Sequence, residues 1–246
     1  MSSSPETVSF GYTDVTPSEK TERVGAVFSS VARNYDRMND AMSAGLHRRW
    51  KDRFVRRVKP RSGETILDMA GGTGDIAFRM EPSGASITVA DINPDMLGVG
   101  MDRAAARGID SLVWSEQNAE TLSFPDAFFD AYTIAFGIRN VTHIDRALAE
   151  AHRVLRYGGR FYCLEFSTNQ WPGFAQAYDA YSHRVVPKLG ELIAGDAESY
   201  RYLIESIRRF PKMDDFAGMI RAAGFAQVKV EPIMGGLVAI HSGWKV

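Results

Sequence analysis

The chain has 246 residues, enough to bury a sizeable core in one α/β domain or two small ones. Its 45% hydrophobic and 24% charged content is ordinary for a soluble globular protein, and a net charge of −1 gives no global reason to expect a nucleic-acid partner. The single cysteine, Cys163, excludes an internal disulfide or a cysteine-based metal cluster, and no apolar run approaches the roughly 20 residues that a bilayer span needs.

The N-terminal stretch MSSSPETVSFGYTD has neither the apolar centre of a secretion signal nor the arginines of a transit peptide, so a cytoplasmic location is expected. Residues 1–20 are rich in Ser, Thr and Pro and read as a loose lead-in to one domain over 21–246. From Lys20 to Arg61 the pattern is helical, with a break around NDAMSAG. Within it, HRRWKDRFVRRVKPR (47–61) sets Trp50, Phe54 and Val58 on one helical face, ringed by arginines and lysines from Arg48 to Arg61. Two readings stay open: a solvated helix packed on the domain by its apolar stripe, or a basic amphipathic helix lying on anionic lipid.

Apolar segments then alternate with helical ones. TILDMA (65–70), SITVAD (86–91), SLVWSE (111–116), DAYTIAF (130–136) and RFYCLEF (160–166) read as strands. NPDMLGVGMDRAAARG and HIDRALAEAHRVLRYGG fit as helices between them, the second expected to end on a glycine C-cap. Such alternation predicts a doubly wound, mostly parallel sheet. Residues 167–211 exceed what a crossover requires and carry Trp171, Phe174, Tyr178, Tyr181, Tyr200, Tyr202 and Phe210. They read as helices covering a site and lining an apolar tunnel, or as a dimer interface or added core. QVKVEPI and LVAIHSGWKV flank Met234-Gly235-Gly236, which predicts a terminal antiparallel hairpin.

The strongest motif is ILDMAGGTGD (66–75): an apolar strand, a glycine turn, then a helical pattern. Glycines let the backbone approach a ligand, and a helix start offers free N–H groups. Gly72-x-Gly74-x-x-Ala77 satisfies the dinucleotide pattern formally. Three features point away from NAD: Asp68 inside the strand, placed to order the loop and face an ammonium group; no second mononucleotide-binding half; and the terminal hairpin. All three suit S-adenosylmethionine. Asp91, about twenty positions after the loop starts, ends the second strand, where it accepts ribose hydroxyls or caps the helix at Asn93-Pro94. Asn118 and Ala119 follow the third strand, where an amide and a backbone N–H can read an adenine edge. AFGIRNV (135–141) brings Arg139 and Asn140 to the carboxyl end of a buried strand, where either a loop leaves the sheet or a ligand sits. The five histidines have no metal spacing, so no metal is expected.

Together YDRMND, GLHRRWK, ILDMAGGTGDIAFR, VADINPDML, QNAETLSFP, AFGIRNV, CLEFS and IHSGWKV resemble the ubiquinone/menaquinone biosynthesis C-methyltransferases from about residue 10 to the end. FGIRN and YDxMND are far more specific than the glycine turn. The resemblance implies a class I S-adenosylmethionine-dependent methyltransferase fold and C-methylation of a polyprenyl methoxy-benzoquinol, with demethylmenaquinol as a further acceptor to consider. By position it implies cofactor contacts from Thr73, Asp91, Asn118 and Ala119, beside the turn residues Asp68, Gly72 and Gly74. Many members carry serine where this chain has Ala135, which removes one hydroxyl contact, and Tyr157 replaces a usual proline.

Ring methylation needs a nucleophile made richer as its phenolate, and lowering a phenolic pKa from about 10 to about 7 corresponds to roughly 4 kcal/mol. Arg139 stays protonated and is expected to stabilise the oxyanion, with Asn140 orienting the second ring oxygen. Proton removal falls to water or to a nearby acceptor, for which Tyr35, Glu165 and His143 are the candidates. The plain alternative for Arg139 is a pair with a carboxylate such as Asp36 or Asp145. A bilayer-borne substrate favours peripheral docking of the basic helix on the inner membrane; a second copy or other proteins of the pathway are the further partners considered. An NAD oxidoreductase, an RNA methyltransferase and a non-catalytic cofactor-binding scaffold are the competing classes. The first conflicts with the three features above, the second with the near-neutral charge.

Overall fold

The computed structural model describes residues 6–32, 35, 39–40, 43–167 and 197–246, with side chains from 201 onward in the last range. A seven-stranded sheet forms the centre, in the order β5-β4-β3-β6-β7-β9-β8. Its parallel half comprises β3 (Thr65–Met69), β4 (Ser86–Asp91), β5 (Leu112–Glu116), β6 (Phe129–Ala135) and β7 (Leu155–Phe166). The last strands, β8 (Ala226–Ile233) and β9 (Val238–Trp244), form the expected antiparallel hairpin across Met234–Gly236, and β9 lies antiparallel to β7. This is the doubly wound arrangement that the alternation predicts.

Alternate residues of each strand serve opposite layers. Ile66, Ala131, Tyr162, Leu164 and Ile240 pack with Trp50, Phe54 and Val58 of α2 (Leu46–Val58) and with Leu97 of α4 (Pro94–Ala106). Leu67, Tyr132, Phe161 and Cys163 pack with Leu148 of α5 (Ile144–Val154) and Phe216 of α7 (Met213–Ala222). Strands buried on both faces explain why their sequences read as continuous apolar runs.

Two expectations are corrected and one open choice is narrowed. The helix through His143 ends at Val154 without a glycine cap: Leu155 is extended and pairs with Phe129, so LRYGG belongs to β7. Gly158 serves that strand instead, with φ +77° and its N–H donating to the Lys245 carbonyl at 2.7 Å. The N-terminal lead-in is not loose where it is described. β1 (Val8–Phe10) pairs antiparallel with β2 (Thr13–Val15), Phe10 stacks on Tyr202 at 4.3 Å, and α1 (Pro17–Val31) begins behind the Thr16 cap. Finally, the apolar stripe of the basic helix is taken up by the core, Phe54 and Val58 being fully buried, so α2 is a packed helix with a solvated charged face. Three of the cations on that face find protein partners: Arg48 pairs with Asp40, and Arg53 and Arg57 share Glu231.

Residues 168–196, with Trp171, Phe174, Tyr178 and Tyr181 of the expected cover, lie outside the described residues, as does Asp36. Helix α6 (Ala197–Arg209) continues that segment and brings Tyr202 and Leu203 against α1. Among the described residues no helix is long and apolar enough to cross a membrane.

Candidate active site

A cavity with about 1090 Å³ of empty space, its open mouth included, lies beyond the carboxyl ends of β3, β4 and β6. That is where an open α/β sheet places its ligands, because adjacent connections leave on opposite faces there.

The glycine turn forms one wall. After β3, Ala70 and Gly72 both take positive φ, +51°, and Gly74 takes +79° before the short helix α3 (Asp75–Met80). A Cβ on Gly71 would stand 2.6 Å from Val89 Cγ1 and 2.9 Å from the Asp68 carbonyl, so only glycine fits between β3 and β4. Asp91 fastens the turn: Gly72 N–H donates to its Oδ2 and Asn93 N–H to its Oδ1, both at 2.9 Å. The helix cap that was open for Asp91 belongs to Asn93, whose Oδ1 accepts from Asp95 and Met96 N–H. Burial raises the Asp91 carboxyl to about 6.

Asp68 is fully buried at the end of β3, and its Oδ1 accepts from Thr133 Oγ1 at 2.8 Å. Burial lifts its carboxyl to about 7 against that hydrogen bond. Among the described residues its second oxygen has no partner at full hydrogen-bond geometry, although the nearby Ala77 N–H also draws the carboxyl down and Asp68 lines the cavity. A buried, unsatisfied carboxylate oxygen beside a glycine cradle fits a ligand that brings an ammonium group. Thr73 is also in the wall, its hydroxyl accepting from Arg103 Nη1 at 2.8 Å. Asn118 and Ala119 reach the cavity beyond β5, where Gln117 N–H donates to the Asp91 carbonyl at 2.9 Å and sets their place relative to β4.

The opposite wall comes from α1 and the turn after β6. Val24 and Phe28 of α1 give it an apolar surface, and Asn93 Nδ2 ties that helix down by donating to the Gly25 carbonyl and Ser29 Oγ. Phe136 holds φ +56°, uncommon for a bulky side chain, and a Cβ on Gly137 would stand 2.4 Å from Ala70 Cβ. The turns after β3 and β6 therefore pack directly against each other.

Asn140 and Tyr35 line this cavity. Asn140 Oδ1 accepts from the Tyr202 hydroxyl at 3.1 Å. Burial pushes the Tyr35 phenol up, opposed by the positive charge of Arg139 and a hydrogen bond with Asn39. Arg139 differs from expectation. Its guanidinium stands behind the wall, paired with Glu165 at 2.8 Å and bonded to the Phe136 carbonyl, with the two side chains 3% and 0% exposed. The carboxylate alternative thus holds, with Glu165 in place of the exposed Asp145, because strand β7 runs beside β6 and puts residue 165 next to the turn. Burial raises the Glu165 carboxyl and Arg139 pulls it back. Arg139 Nε and Glu165 Oε2 have no hydrogen-bond partner among the described residues. His143 begins α5 with Nδ1 3.8 Å from Glu6 Oε1, away from the cavity lining.

Sequence reasoning missed Lys51 and Asp75, which line the cavity as a buried pair at 2.6 Å. The helical phase of Lys51 next to Trp50 was the signal available, masked by the many cations around it.

A family model described as the ubiE/COQ5 methyltransferase family matches residues 16–245. The ubiquinone/menaquinone biosynthesis C-methyltransferase UbiE of Zymomonas mobilis is 64% identical over 241 residues, 98% of this chain and 100% of that protein. The mitochondrial 2-methoxy-6-polyprenyl-1,4-benzoquinol methylase of Arabidopsis thaliana is 54% identical over 259 residues, 97% of this chain and 90% of that protein. Among solved structures, a SAM-dependent methyltransferase of Thermotoga maritima, described as a possible histamine N-methyltransferase, superposes with a TM-score of 0.65 at 18% identity, covering 91% of this chain and 100% of that one. At that identity the likeness concerns the fold.

Proposed function

The chain belongs to the ubiE/COQ5 methyltransferase family, and from that membership we propose that it transfers a methyl group from S-adenosylmethionine to a ring carbon of a 2-polyprenyl-6-methoxy-1,4-benzoquinol, with demethylmenaquinol as a second acceptor. The observation that carries the reading is the buried Asp68 carboxyl in the lining of a glycine-walled cavity whose other wall is apolar and ends in Asn140 and Tyr35.

When bound, S-adenosylmethionine supplies an electrophilic methyl group on a sulfonium. Asp68 meets its ammonium end, Gly72 to Gly74 admit it closely, and Thr73 borders it. Asp91 accepts from the ribose hydroxyls while Asn118 and the Ala119 backbone read the adenine edge. Val24, Phe28 and Val141 exclude water from the quinol ring. Asn140 and Tyr35 orient the ring oxygens, and Tyr202 fixes the Asn140 amide. Arg139 acts from one layer back. Glu165 immobilises its guanidinium, and the charge that draws the Tyr35 phenol down, against burial and against the carboxylates of Asp91 and Glu165, favours a phenolate in the same place. Alignment of ring carbon and methyl adds up to roughly 7–11 kcal/mol.

The test is turnover by the purified chain with isotopically methyl-labelled donor and the demethyl benzoquinol. Ring-labelled product by mass spectrometry is expected. A chain that binds the donor yet never methylates the quinol is the non-catalytic scaffold, and the reading is then wrong. For a bilayer-borne acceptor we further propose peripheral docking on the inner membrane through the outer face of α2, around Arg49 and Arg56, since its apolar stripe is buried. Flotation with vesicles containing anionic lipid is expected to carry the chain upward, and equal recovery with neutral vesicles counts against it.

A further inference from the structure

We propose that Lys51 binds the carboxylate at the amino-acid end of the methyl donor, opposite Asp68, which takes the ammonium; the assignment rests on the methyltransferase reading above. A free α-amino acid end carries both charges on groups attached to one carbon, so a site for it needs an anion and a cation on the same wall. Asp68 and Lys51 both line the cavity, with Gly71, Gly72 and Thr73 of the turn beside them.

Helix α2 places Lys51 there as a consequence of its core packing. Trp50 and Phe54 lock the helix onto the sheet, and Lys51 follows Trp50 with only 4% of its surface exposed. An ammonium has three donors and is costly to bury. Among the described residues Lys51 Nζ donates to one acceptor, Asp75 Oδ2, at 2.6 Å. Asp75, at the start of α3, does not depend on Lys51 alone. Its other oxygen takes Arg79 Nη1, and Arg79 is itself steadied by Asp52 at 2.9 Å. Lys51 and Arg79 together hold the Asp75 carboxyl far below its ordinary range. If Lys51 turns part of its donor capacity to a ligand carboxylate, Arg79 still neutralises Asp75. The pair then acts as a mount that presents a positive charge to the cavity from a water-poor position, where salt screens it little.

The decisive experiment is a cycle between residue and ligand group, read by isothermal titration calorimetry on the full chain. The ligands are S-adenosylhomocysteine and its decarboxylated analogue, S-adenosyl-3-thiopropylamine, which keeps the amine. Wild type is expected to bind S-adenosylhomocysteine about tenfold or more tightly than the analogue. Lys51→Met should weaken S-adenosylhomocysteine by that factor and leave the analogue unchanged, so that discrimination vanishes, while Lys51→Arg keeps most of it. Equal weakening of both ligands, or of neither, overturns the assignment: the first means that Lys51 only supports Asp75 and the turn. Should Lys51→Met not fold, Asp75→Asn, which releases the ammonium toward the cavity, is expected to widen the discrimination, and an unchanged or smaller ratio overturns it. Wild type that binds neither ligand defeats the methyltransferase reading, and this assignment with it.

Discussion

Replacing Glu165 by alanine tests the buried pair behind the cavity. Arg139 and Glu165 stand 2.8 Å apart with almost no exposure, and the Phe136 carbonyl is the other acceptor shown for the guanidinium. Removing the carboxylate leaves a buried cation without its counter-charge, which typically costs about 3–5 kcal/mol. For a chain of this length roughly 2–4 °C accompany each kcal/mol, so a fall in Tm of roughly 6–20 °C is expected by differential scanning fluorimetry. The double change Arg139→Met with Glu165→Leu removes both charges and should recover most of that loss, because an apolar pair of similar volume avoids the desolvation penalty. It should not recover turnover, since the field acting on the quinol oxygen is gone. Stability and chemistry are thereby separated. A Glu165→Ala variant as stable as wild type refutes the energetics of the pair. A double variant that methylates normally refutes the electrostatic role of Arg139.

Further outcomes follow from the cavity's carboxylates and glycines. Asp68 and Asp91 have folded values of about 7 and about 6, both above the ordinary 3.8, so between about pH 4 and pH 7 these two groups hold more protons in the folded chain than in the unfolded one, whereas His47, His152 and His241, lowered by burial, act in the opposite direction. Without ligand, the contribution of Asp68, read by denaturant titration as the difference between wild type and Asp68→Asn, should therefore fall as pH rises through that window. An ammonium ligand needs Asp68 ionised, so affinity for S-adenosylhomocysteine should rise with pH toward about 7 and level off above it; a wild-type profile as flat as that of Asp68→Asn contradicts the assignment. Gly71→Ala puts a methyl 2.6 Å from Val89 Cγ1 and should cost about 1–3 kcal/mol as well as cofactor affinity; unchanged affinity would mean that the turn does not cradle the donor. Phe54→Ala, at a fully buried position, should cost about 3–5 kcal/mol in urea denaturation, and a small loss would show that α2 is loosely docked and free to turn its apolar stripe outward.

The sequence alone determined the parallel sheet, the terminal hairpin and the glycine turn, because each is written in local chemistry. Strands buried on both faces must be apolar throughout, Met234-Gly235-Gly236 must turn, and Gly71 sits where no Cβ fits. The motifs were equally sufficient for the family, since FGIRN and YDxMND are local words. What they left undecided was every choice among competing partners. Asp91 or Asn93 was able to cap α4, and Arg139 was able to face a carboxylate or the cavity. LRYGG fitted a helix end until β6 claimed Leu155 as a strand partner. The apolar stripe of the basic helix fitted lipid or protein until Trp50, Phe54 and Val58 entered the core, which leaves only its charged face for a membrane surface. Lys51 looked like one cation among many until that packing turned it inward. The physical reason is common to all of them. Local sequence fixes backbone conformation and amphipathic phase, whereas a charged or polar side chain takes whichever partner the chain's long-range crossings bring within about 3 Å, and burial then multiplies the consequence of that choice.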